Sequence, residues 1–208
     1  MSELKRKRGR PKVRPDSHTD TKEALLQSGL EWLTQSGFCS SSLDSILRSI
    51  QIPKGSFYHY FASKEDFGLA VLERYRLFFE HKLDKHLLDE SHSPISRLKN
   101  FMHDATMGIE RYQFARGCLV GNLEQEIQTL PANFKQAIVD TYLSWQKRVE
   151  MCLIEAKQQQ QIGPDEDTEA LAKVFWIGWE GAVSRARLLH SSAPLEQFGT
   201  FFLERLQR

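Results

Sequence analysis

The sequence predicts an all-α protein: an N-terminal three-helix unit containing a helix-turn-helix, followed by a larger helical bundle. Three observations lead there. From about residue 18 onward, apolar side chains recur near the 3.6-residue period of a helix. No segment alternates apolar and polar residues as a half-buried strand does. Breaks rich in Gly, Pro and Ser fall at Gly37, Pro53, 91–94, Gly117, Pro131, 163–164 and Pro194, leaving stretches of helical length between them.

The first helix is expected from about His18. Ala24, Leu25, Leu30, Trp32 and Leu33 form its apolar side, Thr19 or Asp20 caps it, Glu23 lies in its first turn, and Gly37 ends it. The second covers about 42–50, with Ser42 as cap and Leu43, Ile46, Leu47 and Ile50 as its buried stripe. Gln51-Ile52-Pro53 then breaks the chain, and a third, short helix runs over about 54–61. Ser63 caps a fourth, with Glu65 and Asp66 favourably placed at its positive N-terminus. Further helices are expected near 63–89, 93–113, 117–129, 132–161, 166–190 and 194–207, with residues 158–161 as an exposed helix end. No internal repeat is visible.

Composition narrows the class. With 40% apolar and 26% charged residues the chain is globular, not disordered or fibrous. No stretch approaches the ~20 consecutive apolar residues of a membrane helix, and Met1-Ser2-Glu3-Leu4-Lys5 leads into a basic run and not into a secretory signal. The expected location is the cytoplasm. Cys39, Cys118 and Cys152 are far apart, odd in number and without zinc spacing, so neither a disulfide framework nor a metal is expected. No nucleophile–base pair or phosphate loop marks an enzyme or a cofactor site; Glu180 and His190 stand alone.

Charge divides the chain. Residues 1–64 carry eleven Lys and Arg against six Asp and Glu, a net +5, so the remainder is −4 within a total of +1. A basic module joined to an acidic one suggests that the first meets a polyanion. Residues 1–17 are basic, contain Pro11 and Pro15, and are expected to form a disordered arm. Residues 18–64 are then expected to form the unit that meets the polyanion, and 65–208 a second one.

The most informative run is Pro53-Lys54-Gly55-Ser56-Phe57-Tyr58-His59-Tyr60-Phe61, then Ser63-Lys64-Glu65. Two short helices joined by a tight turn let the second lie in the major groove. Lys54, Ser56, Tyr58, His59 and Lys64 can all donate to phosphate oxygens. Phe57 and Phe61, four apart, would anchor the opposite face. A purely structural aromatic cluster is the alternative, but the run has more polar edge than a core needs. In the arm, Arg8-Gly9-Arg10-Pro11 resembles an AT-hook, whose arginines enter a narrow minor groove. The alternative is a basic tail that adds only salt-dependent affinity, and an architectural DNA protein is the corresponding alternative for the whole chain.

Two features stand out in the second part. Cys118 lies between Gly117 and Gly121, with Arg116 beside it. A thiol at a helix N-terminus next to Arg has a lowered pKa and suits a sensor of electrophiles, whereas a buried structural cysteine is the commoner arrangement. Trp176, Trp179 and Val183 share a helix face with Glu180 beside them, which reads as core or as the wall of a small-molecule pocket. Gly178, Gly181 and Ala182 give that helix a small-residue face suited to a dimer seam. Leu195, Phe198, Phe202 and Leu206 offer an apolar partner stripe on the last helix.

Residues 18–67 resemble the DNA-binding domain of the TetR family of repressors. The match lies in Gly37-Phe38, in Ser42-Leu43-Asp44-Ser45-Ile46, and in the run from Pro53 to Glu65. The resemblance implies an all-α homodimer, paired through its last two helices, that binds double-stranded palindromic operator DNA. It assigns DNA contact to Ser42, Lys54, Ser56, Tyr58, His59 and Lys64. Residues 117–126, Trp145-Gln146 and 175–182 further resemble the acrylate-responsive AcuR subgroup and, more distantly, the NemR-like electrophile sensors. This implies a bundle that binds a small effector, acrylate or a related small acid, around Arg116, Cys118, Asn122, Trp145, Trp176, Trp179 and Glu180. Covalent sensing through Cys118 is the alternative. In NemR-like proteins a lysine of the penultimate helix works with the cysteine, and Ser184 stands at that position here. Arg116, Arg148 and Arg185 are the candidate cations for a carboxylate.

Overall fold

The computed structural model describes residues 17–206. Among these residues there are nine helices and no strand: α1 Ser17–Ser36, α2 Leu43–Ser49, α3 Lys54–Tyr60, α4 Lys64–Leu87, α5 Pro94–Arg111, α6 Leu119–Gln125, α7 Ala132–Gln158, α8 Thr168–Leu189 and α9 Ala193–Leu206. None is long and apolar enough to cross a membrane. The basic arm, with Arg8 and Arg10, lies outside the described residues.

The ends of the helices follow from local chemistry. Gly37 closes α1 in the left-handed region at φ +79, its N–H donating to the Leu33 carbonyl at 3.0 Å. Ser63 caps α4 by accepting from the Asp66 N–H at 3.0 Å, while the Asp66 carboxylate accepts from the Ala62 N–H at 3.1 Å. Asp167 caps α8 in the same way, accepting from the Ala170 N–H at 3.0 Å. Three sequence expectations need correction. α1 starts at Ser17, so neither Thr19 nor Asp20 is its cap. Ser42 occupies the cap position of α2 without a side-chain hydrogen bond. The sixth helix ends at Gln125; the chain from 126 to 130 turns instead, with the Thr129 hydroxyl donating to the Glu126 carbonyl at 2.8 Å.

Two apolar centres share one long helix. At the N-terminal end Leu25, Leu33, Ile46, Phe57, Phe61 and Phe67 are sealed from solvent between α1, α2, α3 and the start of α4. At the other end Phe101, Trp145, Phe175, Trp176, Trp179 and Phe202 fill the space between α5, α7, α8 and α9. α4 belongs to both: Phe67 packs on Phe57 at 5.4 Å between ring centres, and three turns later Phe79 packs on Trp145 at 4.4 Å. The expected partner stripe of the last helix is spent here. Leu195, Phe202 and Leu206 are buried against the same protomer, and Gly178 admits the Phe198 ring, which a methyl group there would strike.

Candidate functional site

The first candidate surface is the face of α2 and α3. Burying Phe57 and Phe61 on one side of α3, 5.5 Å apart between ring centres, leaves Lys54, Tyr58 and His59 exposed on the other. Ser56 is half-buried, and Ser42 is exposed at the start of α2. Lys54 pairs with Asp44 at 3.1 Å, with both side chains well exposed. Such a pair is worth little in water, so a phosphate can replace the carboxylate. Gly55 faces open space: a side chain built there would meet no atom within 4 Å. Lys64 behaves differently. Its ammonium donates to the Phe38 carbonyl at 2.7 Å and lies 4.4 Å from the centre of the Phe38 ring. Burial pulls its pKa down. It clasps the turn after α1 to the head of α4.

The second is a cavity of about 640 Å³ between α6, α7 and α8. Its walls include Gly121 and Glu124 of α6, Tyr142 and Gln146 of α7, and Trp176 and Glu180 of α8. Trp176 and Glu180 share a face because they are four apart on a helix. Gly121 makes room for the Glu180 carboxyl, with which a methyl group would collide. Loss of water around Glu180, reinforced by the nearby Glu124, pushes that carboxyl up to about 7, against a weaker opposing hydrogen bond from Cys118. The Tyr142 hydroxyl donates to Glu124 at 2.7 Å.

Of the expected effector residues, Trp176 and Glu180 line this cavity. Cys118 lies behind it, buried close to Tyr75 and Glu180. Trp145 backs Trp176 at 4.9 Å between ring centres, and the indole N–H groups of both are buried without a partner. Trp179, one residue and ~100° away from Glu180, is stacked on Phe175 in the core instead. Arg116 lies on the Tyr112 ring at 4.2 Å and near Glu31 at 3.5 Å, not at the cavity. The expectation of a lowered Cys118 pKa is reversed: burial, and after it the Glu180 charge, push the thiol well up. Among the three candidate cations, Arg148 is paired with Asp84 at 2.7 Å and Arg116 with Glu31, while Arg185 lines the cavity, exposed and without an ion pair among the described residues. Sequence reading did not single out Glu124 or Tyr142 as site residues. They come from two other helices, and only the fold brings them to Glu180.

Asn122 does something else. Its side-chain amide donates to the Leu33 and Thr34 carbonyls, at 3.1 and 2.9 Å, in the last turn of α1. Its oxygen accepts from Arg187 of α8 at 2.9 Å, and Arg187 also donates to the Gln35 carbonyl at 3.0 Å. Just past α6, Glu126 accepts from the Phe38 and Cys39 N–H groups at 2.8 and 3.1 Å. The end of α1 is thus held by side chains of the α6 segment and α8. One side of α6 forms the cavity wall and the other grips the helix that carries the α2–α3 unit.

Comparison with known proteins identifies the family. Residues 21–71 match the family model for bacterial regulatory proteins of the tetR family, and residues 94–202 match that of the tetracyclin repressor-like C-terminal domain. The chain is 44% identical over 207 residues to the transcriptional regulator AcuR of Cereibacter sphaeroides, covering 98% of this chain and 94% of that protein. It is 28% identical over 183 residues to the HTH-type transcriptional repressor NemR of Escherichia coli, covering 87% and 92%. A crystal structure of a regulatory protein TetR from Rhodobacter sphaeroides superposes with a TM-score of 0.86 at 44% identity, covering 88% of this chain and 96% of that one.

Proposed function

The chain belongs to the tetR family of bacterial regulatory proteins, and from that premise we propose that it is a cytoplasmic homodimeric repressor of a palindromic operator, released by a short carboxylate such as acrylate. The observation that carries this reading is the two-sided α6, with Gly121 and Glu124 at the cavity and Asn122 and Glu126 on the end of α1 and the turn that follows. A ligand filling the cavity pushes on the same short helix that holds the DNA-binding unit. Lys54, Ser56, Tyr58 and His59 of α3, with Ser42 of α2, are the proposed DNA contacts. Lys64 joins them only if it leaves Phe38, and Arg8 and Arg10 extend the contact into the minor groove.

Dimerisation through α8 and α9 is supported by apolar residues left in the open: Val174, Ile177 and Leu188 on α8, 53%, 74% and 69% exposed, and Phe201 on α9, 67% exposed. Gly181 adds a smooth spot on that face. A two-fold dimer must hold its recognition helices about 34–36 Å apart to read two half-sites. The effector must bind one dimer geometry better than the other, since equal affinity shifts nothing. Acrylate is supported by the AcuR resemblance and by Arg185 at the cavity. Reversible binding is preferred to covalent capture because the Cys118 thiol is buried and held protonated.

The test is fluorescence anisotropy on the DNA upstream of the gene, titrated with acrylate. The expected outcome is tight binding to one palindromic site and release by millimolar or lower ligand. Binding that ignores sequence, or that ignores every short carboxylate, sinks the corresponding part of the reading. Cys118→Ser separates the two modes: reversible binding keeps the response and covalent capture loses it.

A further inference from the structure

The cavity is an unusual place for an anion. Glu180 from α8 and Glu124 from α6 both line it, and Arg185 is the one cation among its lining residues. The groups facing Glu180 do not offset its charge. They are Cys118 and Glu124 from the α6 segment, Tyr75 from α4 and Tyr142 from α7, and none is a cation. Tyr142 already spends its proton on Glu124. A carboxylate placed against an ionised Glu180 would therefore meet two negative charges and one positive one. When two carboxylates must share a site, a single proton held between them removes the repulsion and supplies a strong hydrogen bond.

We propose, resting on the carboxylate-effector reading above, that the effector binds as a carboxylate that shares one proton with Glu180, so that each occupied cavity holds a proton, taken up from solvent wherever the free protein lacks it. Glu180 is then the residue that selects a small acid, by serving as a donor. Arg185 supplies the charge at the rim. The free carboxyl at about 7 makes the proton available near neutral pH. Short carboxylic acids ionise near ~4, so the ligand itself stays an anion throughout and the proton comes from Glu180 or from solvent.

The sign follows from linkage. Below about 7 the free protein already carries the proton and affinity is flat. Above it, each unit of pH weakens binding about tenfold until the pKa of the complex is reached. The experiment is isothermal titration of the full-length protein with acrylate and with propionate between pH 6 and 9, in two buffers of different ionisation enthalpy. The expected result is an uptake approaching one proton per site at pH 8 and a Kd rising about tenfold per pH unit. Glu180→Gln should flatten that profile. Saturable binding without proton uptake overturns the proton linkage and leaves the effector reading standing. Absence of binding by either acid at any pH overturns both. The uptake measurement uses the unmodified protein, so a variant that fails to fold does not affect it.

Discussion

The α2–α3 face and the α6–α8 cavity are built in opposite ways. On the first, Lys54, Ser56, Tyr58 and His59 are near neighbours in the chain, and one short helix presents them. In the second, Glu124, Tyr142 and Glu180 are brought together from three helices. The face is anchored from beneath by Ile46, Leu47, Phe57 and Phe61, and its polar groups stay in water. The cavity is walled by Trp176 with Trp145 packed behind it, and its carboxyl is taken out of water far enough to change its pKa. On the proposed function, the surface that meets DNA keeps its charges solvated until contact, whereas the pocket that takes the small molecule removes water beforehand.

The sharpest way to separate the two is through stability. Trp145→Ala should cost about 3–5 kcal/mol in chemical denaturation, since the indole is fully buried behind the cavity. Tyr58→Ala, at a side chain 51% exposed, should change it by less than about 0.5 kcal/mol. Equal costs would mean that the face is more integral to the core than its exposure indicates. Next in size is DNA affinity. Lys54→Ala should weaken operator binding uniformly across sequences and lower the salt dependence by about one counterion. An unchanged salt slope would remove Lys54 from the phosphate contacts. Smaller again is the link between the two regions. Asn122→Ala removes the bonds to Leu33 and Thr34. It should leave effector affinity near normal while reducing the release of DNA at saturating effector by about 0.5–2 kcal/mol. Full release in that variant would place the coupling elsewhere.

The smallest effect tests the cavity alone. A carboxyl raised from 4.5 to about 7 in the folded state holds its proton more tightly there than in the unfolded chain. Its stabilising contribution is complete below about 4.5 and is lost as pH rises through about 7. Glu180→Gln should therefore gain on the order of 1 kcal/mol over the native protein at pH 8 and lose that advantage near pH 5. Denaturation midpoints at the two pH values measure it.

The same contrast explains what could be read in advance. Contiguous function is visible in sequence: the α3 run, the Ser63 cap and Gly37 all act through neighbours within four residues. The cavity depends on helical phase and on partners from other helices. Periodicity places Trp176, Trp179 and Glu180 together, but one step of ~100° sends Trp179 into the core and leaves Glu180 at the wall. Cys118 and Arg116 are two residues apart, yet one is buried beside Glu180 and the other lies on Tyr112. Asn122 follows Gly121 and faces α1 while Gly121 faces the cavity. Thr19 and Asp20 are good cap residues by type but lie inside a longer helix, which local sequence does not reveal.

α4 runs through both apolar centres, with Phe67 under the recognition helix and Phe79 against Trp145. Among the described residues the two centres are therefore joined through one continuous helix. A cut near the start of α4 would strip the DNA-reading end of the ring that supports Phe57. A cut further along would open the floor behind the α6–α8 cavity. Packing at one end of α4 is thereby tied through a single continuous helix to packing at the other.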